Sequence, residues 1–307
     1  MTGTAFLFPG LNSIFRDRDR HRFDALHQVQ DCFSALGNFG FGNDLQISSA
    51  ELMSKSRYAS IAAITVAIQC GTYRKLLHCG VKPDILAGCS LGDVARSICS
   101  GALTLDDTLH ALAALRDTLG VLPALGKTVA IRLASAECID DAVLSRLQSA
   151  GFEPSVLSAR HMTIGLETKD YDHLLSISKD SGWEISDAEV PYALHSRHLQ
   201  STVDALWSQF KLPARPLTTA VFSAVQLKKL DSWEEVYKDG REVFYRPIQW
   251  PMTLQLLREK QGVSRFINIG PCNSLILLAR ETDRSITIES AQRFFATDER
   301  TLRSNIA

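Results

Sequence analysis

The feature that most constrains the fold is an abrupt change from strand to helix around residues 88–92, which read Gly-Cys-Ser-Leu-Gly. The preceding run, residues 85–87, is short and apolar, as in a buried strand. Over residues 93–101, apolar side chains recur at helical spacing. The glycines that flank Ser90 permit a strained turn with close backbone approach. A buried strand that turns directly into a helix indicates an α/β fold, in which sites collect at the loops after strands.

Ser90 itself has two interpretations. In a nucleophile elbow its hydroxyl is exposed at the helix N-terminus, where the helix dipole and the backbone amide of Leu91 favour an oxyanion. A serine with neighbouring glycines can also do no more than cap the helix. Because G-x-S-x-G arises by chance in roughly one chain in ten of this length, its strand-turn-helix setting is what favours a nucleophile.

A different pattern of elements occupies residues 127–190. Strand and helix signals follow there in the order βαββαβ, which is typical of a ferredoxin-like unit. The predicted strands are 128–133, 153–157, 162–166 and 183–190, and the predicted helices are 139–150 and 171–181. Outside this unit, the sequence predicts a strand at 4–8 and a buried helix at 58–77. We therefore expect the unit to be an insertion in a larger domain.

Charge and cysteine usage exclude several classes of function. The 307 residues carry a formal net charge of −1, which argues against a general nucleic-acid or membrane-surface binder. The seven cysteines form no CxxC pair, so we expect reduced thiols. His195 and His198 have no nearby cysteine or carboxylate ligand set, so no metal is expected. Since the first residues contain no basic leader or long apolar segment, we expect a cytoplasmic protein.

Six short segments, in order along nearly the whole chain, carry a resemblance to a known family. They are FPGLNS at 8–13, AGCSLGD at 87–93, GALTLDD at 101–107, VPYALHS at 190–196, YRPIQW at 245–250 and IGP at 269–271. These segments resemble FPGQGSQ, AGHSLGE, GALSLED, the catalytic-histidine segment, the N-P-V-Q-W region and a late GPG. All six occur in malonyl-CoA:acyl-carrier-protein transacylases and in the acyltransferase domains of polyketide synthases.

The resemblance implies a fold and a set of partners. The fold would be an α/β-hydrolase-like core, formed by residues 1–126 and 191–307, with an inserted ferredoxin-like subdomain at 127–190. The partner would be an acyl carrier protein, with an acyl-CoA or acyl carrier protein as donor, and the protein would be a monomer. No cofactor is implied beyond the phosphopantetheine that the substrate itself carries.

The resemblance also implies roles for particular residues. Ser90 would be acylated, and His195 would take its proton and later deprotonate the acceptor thiol. A backbone carbonyl near Val243 would orient the histidine, and the backbone amides of Leu11 and Leu91 would bind the oxyanion. Without the resemblance, a histidine such as His195 is more often structural than catalytic.

The residue that would bind a carboxylated acyl group departs from the family pattern. The family pairs the malonyl carboxylate with an arginine on the helix after the elbow, because a guanidinium binds a carboxylate bidentately. Counting from Ser90 without gaps places Leu115 at that position and Arg116 one residue later, which is a rotation of about 100 degrees on a helix. Either the helix contains a one-residue insertion, or the pocket presents leucine.

Other positions around the expected pocket also differ. Leu11 and Asn12 stand where the family has glutamine and glycine, so the backbone donor survives while a polar side chain is lost. Cys89 replaces a histidine, which leaves more room beside the nucleophile or is plain packing. In the loop where the family has N-S-P-x-Q, Arg160 could replace the missing cation or be an exposed loop residue.

The specificity tetrapeptide, Tyr192-Ala193-Leu194-His195, matches neither HAFH nor YASH, the malonyl and methylmalonyl forms, and Leu194 suggests an apolar side pocket. We therefore expect a serine acyltransferase for a non-malonyl acyl group. The alternatives are an acyl hydrolase with water as acceptor, a malonyl transacylase, and a non-catalytic module that binds the carrier protein.

Two basic features have both a structural and a binding interpretation. Residues 16–22, in which arginines alternate with acidic residues and a histidine, predict a solvated helix start or a docking surface for an acidic partner. Arg197, beside His195, could attract an acidic carrier protein or form a structural salt bridge.

Overall fold

The computed structural model of the protein describes residues 3–11, 17–54, 57–119, 126–134 and 137–295. Its strands are β1 (Gly3–Phe8), β2 (Ile85–Gly88), β3 (Lys127–Arg132), β4 (Pro154–Val156), β5 (His161–Leu166), β6 (Glu184–Val190), β7 (Ala220–Phe222), β8 (Lys229–Leu230), β9 (Val263–Asn268) and β10 (Ile288–Ser290). Its helices are α1 (Asp17–Asp24), α2 (His27–Asn38), α3 (Ser49–Ser54), α4 (Tyr58–His78), α5 (Gly92–Cys99), α6 (Leu105–Leu119), α7 (Asp141–Ser149), α8 (Tyr171–Asp180), α9 (Gln200–Trp207), α10 (Trp233–Glu242), α11 (Trp250–Gln261) and α12 (Ser274–Thr282).

The larger sheet lies at the centre of the core. Within the described ranges it consists of six strands in the order β10-β9-β1-β2-β7-β8, parallel except for the edge strand β8. Alternate residues of β1 enter two different apolar clusters, Phe6 on one face and Leu7 on the other. Helix α4 contributes to the first cluster and α11 to the second. The sheet is therefore covered on both faces, as parallel sheets require.

A second, antiparallel sheet is formed between Lys127 and Val190. In the described part of the chain its strand order is β4-β5-β3-β6, with α7 and α8 as the connecting helices. This sheet has its own apolar cluster, which includes Leu147 of α7 and Leu174 of α8. The predicted βαββαβ order is confirmed, and each of its six elements lies within a few residues of its predicted bounds.

Helix α4 is buried on almost every side, as its uniformly apolar sequence predicts. Among the described residues, no helix combines the length and the hydrophobicity that crossing a bilayer requires.

The prediction of a solvated helix start at residues 16–22 is wrong for Arg20, which is 3% exposed. Its guanidinium donates to the carbonyl oxygens of Leu45 and, over 3.1 Å, Ile47, so it joins α1 to the segment before α3. Arg16, Asn12 and Ser13 lie outside the described residues.

A buried ionic cluster joins the helix after β2 to α10. Arg96 of α5 lies 3.0 Å from an Asp93 carboxylate oxygen and donates to Asp239 of α10 over 3.1 Å. All three side chains are fully buried. Burial raises the pKa of Asp93 to about 8, while Arg96 opposes this rise and Asp239 adds to it. Arg96 thus joins two acidic side chains inside the core.

Replacement of Arg96 by leucine should destabilise the fold severely, because Asp239 would be left buried without its cation and Asp93 would lose its partner. We expect a loss of about 3–5 kcal/mol in the free energy of unfolding, measured by urea denaturation. Arg132→Leu is the matched control, since Arg132 is half exposed and lies 3.9 Å from Glu184. That change should cost less than about 1 kcal/mol. Equal losses of unfolding free energy in the two variants would contradict a larger contribution of the buried cation to stability.

Candidate active site

The turn that carries Ser90 depends on close contact with β1. Strand β2 ends at Gly88 and α5 begins at Gly92, so the turn between them is very tight. A Cβ atom at Gly92 would overlap the carbonyl oxygen of Phe8, so only glycine fits there. Ser90 has a φ of +58°, which is the left-handed region that non-glycine residues rarely adopt. This conformation stores strain at the position of the predicted nucleophile.

His195 lies against Ser90, although the two residues are 105 positions apart. The distance from Ser90 Oγ to His195 Nε2 is 2.9 Å. On the other side of the ring, Nδ1 lies 2.6 Å from the carbonyl oxygen of Val243. Because a carbonyl can only accept a hydrogen bond, Nδ1 carries the proton and Nε2 is left to accept one from the serine hydroxyl. The pair thus has the geometry of a nucleophile with its general base.

The environment keeps the imidazole neutral. His195 is 8% exposed, and burial lowers its pKa to about 4, against a smaller opposing effect of the hydrogen bond to Val243. A neutral imidazole can take a proton from Ser90 at any pH above this value. The backbone is fixed as well, because the His195 amide donates to the Phe244 carbonyl over 2.8 Å.

A mainly apolar cavity of about 210 Å³ contains both Ser90 and His195 in its wall. The predicted oxyanion residues Leu11 and Leu91 line it as well. Gly10 approaches Ser90 closely enough that an added Cβ would lie 3.3 Å from the Ser90 Cβ, so the loop after β1 passes directly beside the serine. The cavity is therefore a place where an acyl group can meet the nucleophile, the base and two backbone amides together.

The two variable positions of the specificity tetrapeptide also face the cavity. Tyr192 and Leu194 both line it, together with Tyr58 from the start of α4. The rings of Tyr58 and Tyr192 meet edge to face, with their centroids 5.5 Å apart. The side pocket that Leu194 suggests in the sequence is present and is apolar.

Arg116 does not enter the cavity, so its predicted role as a carboxylate ligand is wrong. Helix α6 is continuous, and its lining residues include Leu115. The Arg116 guanidinium instead donates to the carbonyl oxygens of Phe39 and Gly40, over 3.4 and 3.2 Å. It also lies over the ring of Phe41, 4.9 Å from the centroid. Of the two alternatives that the sequence left open, the pocket presents leucine.

Two further candidates lie away from the cavity wall. Arg160 donates to the Leu133 carbonyl over 2.8 Å and lies 4.0 Å from Glu281, so it joins its loop to neighbouring segments. Cys89 is 5% exposed and packs against Ala87 and Phe222, and burial raises its pKa. Neither Arg160 nor Cys89 is among the described residues that line the cavity. For Cys89 the structure favours plain packing, and Arg160 is engaged by Leu133 and Glu281.

The remaining basic candidate, Arg197, is exposed and lies 3.9 Å from Glu153, at a distance that gives a weak ion pair. In the described ranges, no group of three histidine, cysteine, aspartate or glutamate side chains is arranged to hold a metal ion.

Residues that the sequence did not single out form much of the cavity. The wall includes Trp207 at the end of α9, Phe210 beyond it, and Tyr237 and Gly240 of α10. Gln69 of α4 was also missed, and its side chain donates to the Pro9 carbonyl over 2.7 Å and so holds the loop beside Ser90. No local motif marks these residues, because they meet only through the tertiary fold.

No family model matches the chain. Over 305 residues it is 23% identical to the malonyl CoA-acyl carrier protein transacylase of Bacillus subtilis, and the match covers 93% of this chain and 92% of that protein. Over 258 residues it is 24% identical to polyketide synthase GfsA of Streptomyces halstedii, with 76% of this chain covered. The resemblance to the transacylases and acyltransferase domains is confirmed. The chain spans only 3% of GfsA and 4% of GfsB from the same organism.

Solved structures share the fold at low sequence identity. FabD from Acinetobacter baumannii has a TM-score of 0.80 and 19% identity, with 99% of each chain covered. The transacylase of PlMCAT:AntF, described as a type II PKS acyl-carrier protein in complex with its malonyl-transacylase, has a TM-score of 0.81 and 18% identity. That match covers 97% of this chain and 100% of the other. The predicted class, an α/β-hydrolase-like core with an inserted ferredoxin-like subdomain, is confirmed.

The His195 ring should titrate with a midpoint near pH 4, because burial penalises its charged form. Since the unfolded chain binds this proton from about pH 6.5 downwards, stability should fall as the pH is lowered from there towards 4. The midpoint is measured by nuclear magnetic resonance from the pH dependence of the His195 ring signal, which is assigned by its absence in His195→Gln. In that variant, the loss of stability between about pH 6.5 and 4 that comes from His195 should be absent. A wild-type midpoint near 6.5 would contradict the buried, neutral ring.

Proposed function

We propose that the protein is a serine acyltransferase. It moves an uncharged acyl group from a thioester donor, either acyl-CoA or an acyl carrier protein, to the phosphopantetheine thiol of a carrier protein. The observation that carries the proposal is the 2.9 Å contact between Ser90 Oγ and His195 Nε2, with the opposite ring nitrogen held by the Val243 carbonyl. This arrangement activates a hydroxyl that is otherwise a poor nucleophile.

In the first half-reaction, Ser90 Oγ attacks the carbonyl carbon of the thioester while His195 Nε2 takes the hydroxyl proton. Negative charge develops on the carbonyl oxygen, and we assign its stabilisation to the backbone amides of Leu11 and Leu91, two residues that line the cavity. When the tetrahedral intermediate collapses, the carbon–sulfur bond breaks and the departing thiolate takes the proton from His195. The products are the acyl-Ser90 ester and a free thiol.

In the second half-reaction the acceptor sulfur is the nucleophile and Ser90 Oγ is the leaving group. The acceptor thiol gives its proton to neutral His195, and the thiolate attacks the ester carbonyl. The same two amides bind the new oxyanion, and the carbon–oxygen bond to Ser90 breaks as Oγ recovers the proton. Because the low pKa of His195 keeps the ring unprotonated at neutral pH, the base is ready for both halves.

The cavity supports an uncharged acyl group. Among the described residues that line it, none is a lysine or an arginine. The position that would bear the carboxylate-binding arginine is Leu115, and the acidic side chain in the wall, Asp107, is already paired with Arg215 at 2.7 Å. An ionised carboxylate in such surroundings would lose its hydration without gaining a cation, which is very unfavourable. A malonyl group therefore fits this cavity poorly.

The relatives support both the chemistry and the class of partner. The Bacillus subtilis protein is named a malonyl CoA-acyl carrier protein transacylase, and the PlMCAT:AntF structure contains an acyl-carrier protein in complex with its malonyl-transacylase. For this chain we propose the same kind of partner and acceptor, an acyl carrier protein. We propose a different acyl group, because the cation position differs.

Ser90→Ala should abolish covalent acylation and leave the fold intact. We would mix the protein with acetyl-, octanoyl- and malonyl-CoA and follow the adduct by intact-protein mass spectrometry, with Ser34→Ala, an exposed serine of α2, as the matched control. Wild type and Ser34→Ala should form an acetyl or octanoyl adduct that is lost on addition of holo carrier protein. An adduct on the Ser90→Ala protein would contradict the nucleophile. Adduct loss to water alone would indicate an acyl hydrolase, and a dominant malonyl adduct would contradict the uncharged substrate.

Arg116→Ala should not change which acyl groups label the protein, because its guanidinium binds the Phe39 and Gly40 carbonyls rather than the cavity. It should cost about 1–3 kcal/mol in the free energy of unfolding through the lost hydrogen bonds. Competition between malonyl-CoA and octanoyl-CoA, read as the ratio of the two adducts, measures the preference. If the ratio shifts towards octanoyl in the variant, Arg116 does reach the substrate.

A further inference from the structure

One part of the cavity wall lies on the helices around the Ser90–His195 pair, and the space beside it is here called the acyl slot. It lies between α5, α6, α9 and α10, and its wall is formed by Val94, Ser97, Thr108, Trp207, Tyr237 and Gly240. The lining residues of α5 are Val94 and Ser97, so the wall reaches into the second turn of that helix. Since a helix rises 1.5 Å per residue, the stretch from Gly92 to Ser97 extends about 7 Å. This is farther than a two- or three-carbon acyl group needs.

The chemistry of the acyl slot favours a hydrocarbon chain over the pantetheine arm. That arm contains amides and a hydroxyl, which need hydrogen-bond partners once they are buried. The Ser97 hydroxyl already donates to the Asp93 carbonyl over 2.7 Å. The Tyr237 hydroxyl donates to the Phe210 carbonyl over 3.1 Å. These two polar groups are engaged within the protein. The Oγ1 atom of Thr108 and the Nε1 atom of Trp207 have no hydrogen-bond partner among the described residues, but both atoms are buried behind the surface of the wall, which is mainly apolar.

The volume of the cavity also suits a chain of several carbons. A dry apolar cavity of about 150 Å³ is large enough to take benzene. The cavity described here, of which the slot is the deep part, measures about 210 Å³. Apolar carbons placed in such a space gain stabilisation in proportion to the surface that they remove from water. Octanoyl is therefore a suitable probe for the acyl slot.

Gly240 keeps the acyl slot open at α10. A glycine inside a helix is unfavourable compared with alanine. Gly240 does not have a positive φ, and a Cβ atom placed on it would meet nothing within 4 Å. Neither backbone conformation nor a close neighbour therefore requires glycine here, in contrast to Gly92. What the missing side chain supplies at this position is space in the slot.

We propose that the acyl slot binds the alkyl chain of a medium-length acyl group, and that Gly240 is a specificity-determining residue for its length. The inference rests on the proposed function, because the chain enters the slot while its carbonyl carbon lies at Ser90. A larger side chain at Gly240 fills the slot from the side and leaves Ser90, His195 and the oxyanion amides in place. Short acyl groups then react as before, and long ones do not fit.

The test compares octanoyl and acetyl groups in two settings. In the first, Ser90→Ala protein is titrated calorimetrically with octanoyl- and acetyl-pantetheine, so that binding is measured without chemistry. Octanoyl-pantetheine should bind at least about tenfold more tightly, and Gly240→Leu should remove this preference. In the second, acyl adducts are measured on proteins that retain Ser90. There Gly240→Leu should lower the ratio of the octanoyl adduct rate to the acetyl adduct rate at least about tenfold relative to wild type.

Gly37→Leu is the matched control, because Gly37 is also a helical glycine with open space around its Cβ position, but it is exposed on α2. It should behave as wild type in both settings. Equal binding of the two pantetheines to the Ser90→Ala protein, or an unchanged octanoyl preference in Gly240→Leu, would overturn the acyl slot. Absence of every acyl adduct from wild type, with the octanoyl preference in binding intact, would instead overturn the proposed chemistry and leave the slot standing.

Discussion

The contact between the end of β1 and the turn after β2 is the constraint on which the rest of the site depends. The Cys89 amide donates to the Phe8 carbonyl over 2.9 Å, and Gly92 packs over that same carbonyl. The contact forces Ser90 into its left-handed conformation and brings the loop that follows Phe8 beside its hydroxyl. Gln69 then fixes this loop through the Pro9 carbonyl. Ser90 and the loop beside it are thus positioned by one piece of strand packing rather than by their own side chains.

His195 is paired with a backbone carbonyl, which suits the apolar surroundings of its ring. A carboxylate beside the ring would favour the imidazolium, but it would also have to be buried in a wall that offers it no cation. The Val243 carbonyl fixes the tautomer without introducing a charge. Burial then keeps the ring neutral, and the carbonyl adds no charge to the cavity wall. A neutral, oriented imidazole and a mainly apolar cavity are therefore compatible, because neither requires an ion beside the ring.

How much could be predicted from the sequence depended on whether the signal was local. Ser90 was recognisable because strand, glycines and helix are contiguous, and the βαββαβ unit because its periodicities are contiguous too. His195 was identified through its flanking segment, and its 2.9 Å contact with Ser90 required the fold. The acyl slot could not be foreseen, since α5 and α6 are far from α9 and α10 in the chain. Arg20 was misjudged because an alternating charge pattern does not reveal the buried carbonyls that a guanidinium can reach.

The difference between Leu115 and Arg116 shows how a single helical position decides whether a cavity wall contains a cation. One residue along a helix turns a side chain by about 100 degrees, which takes a guanidinium from a cavity wall to the helix flank. On that flank, the left-handed turn at Gly40, with a φ of +77°, directs backbone carbonyls towards Arg116. The cation therefore has a better partner outside the cavity than any it would find inside. With the cation outside, the described wall of the cavity offers a ligand mainly shape and apolar surface.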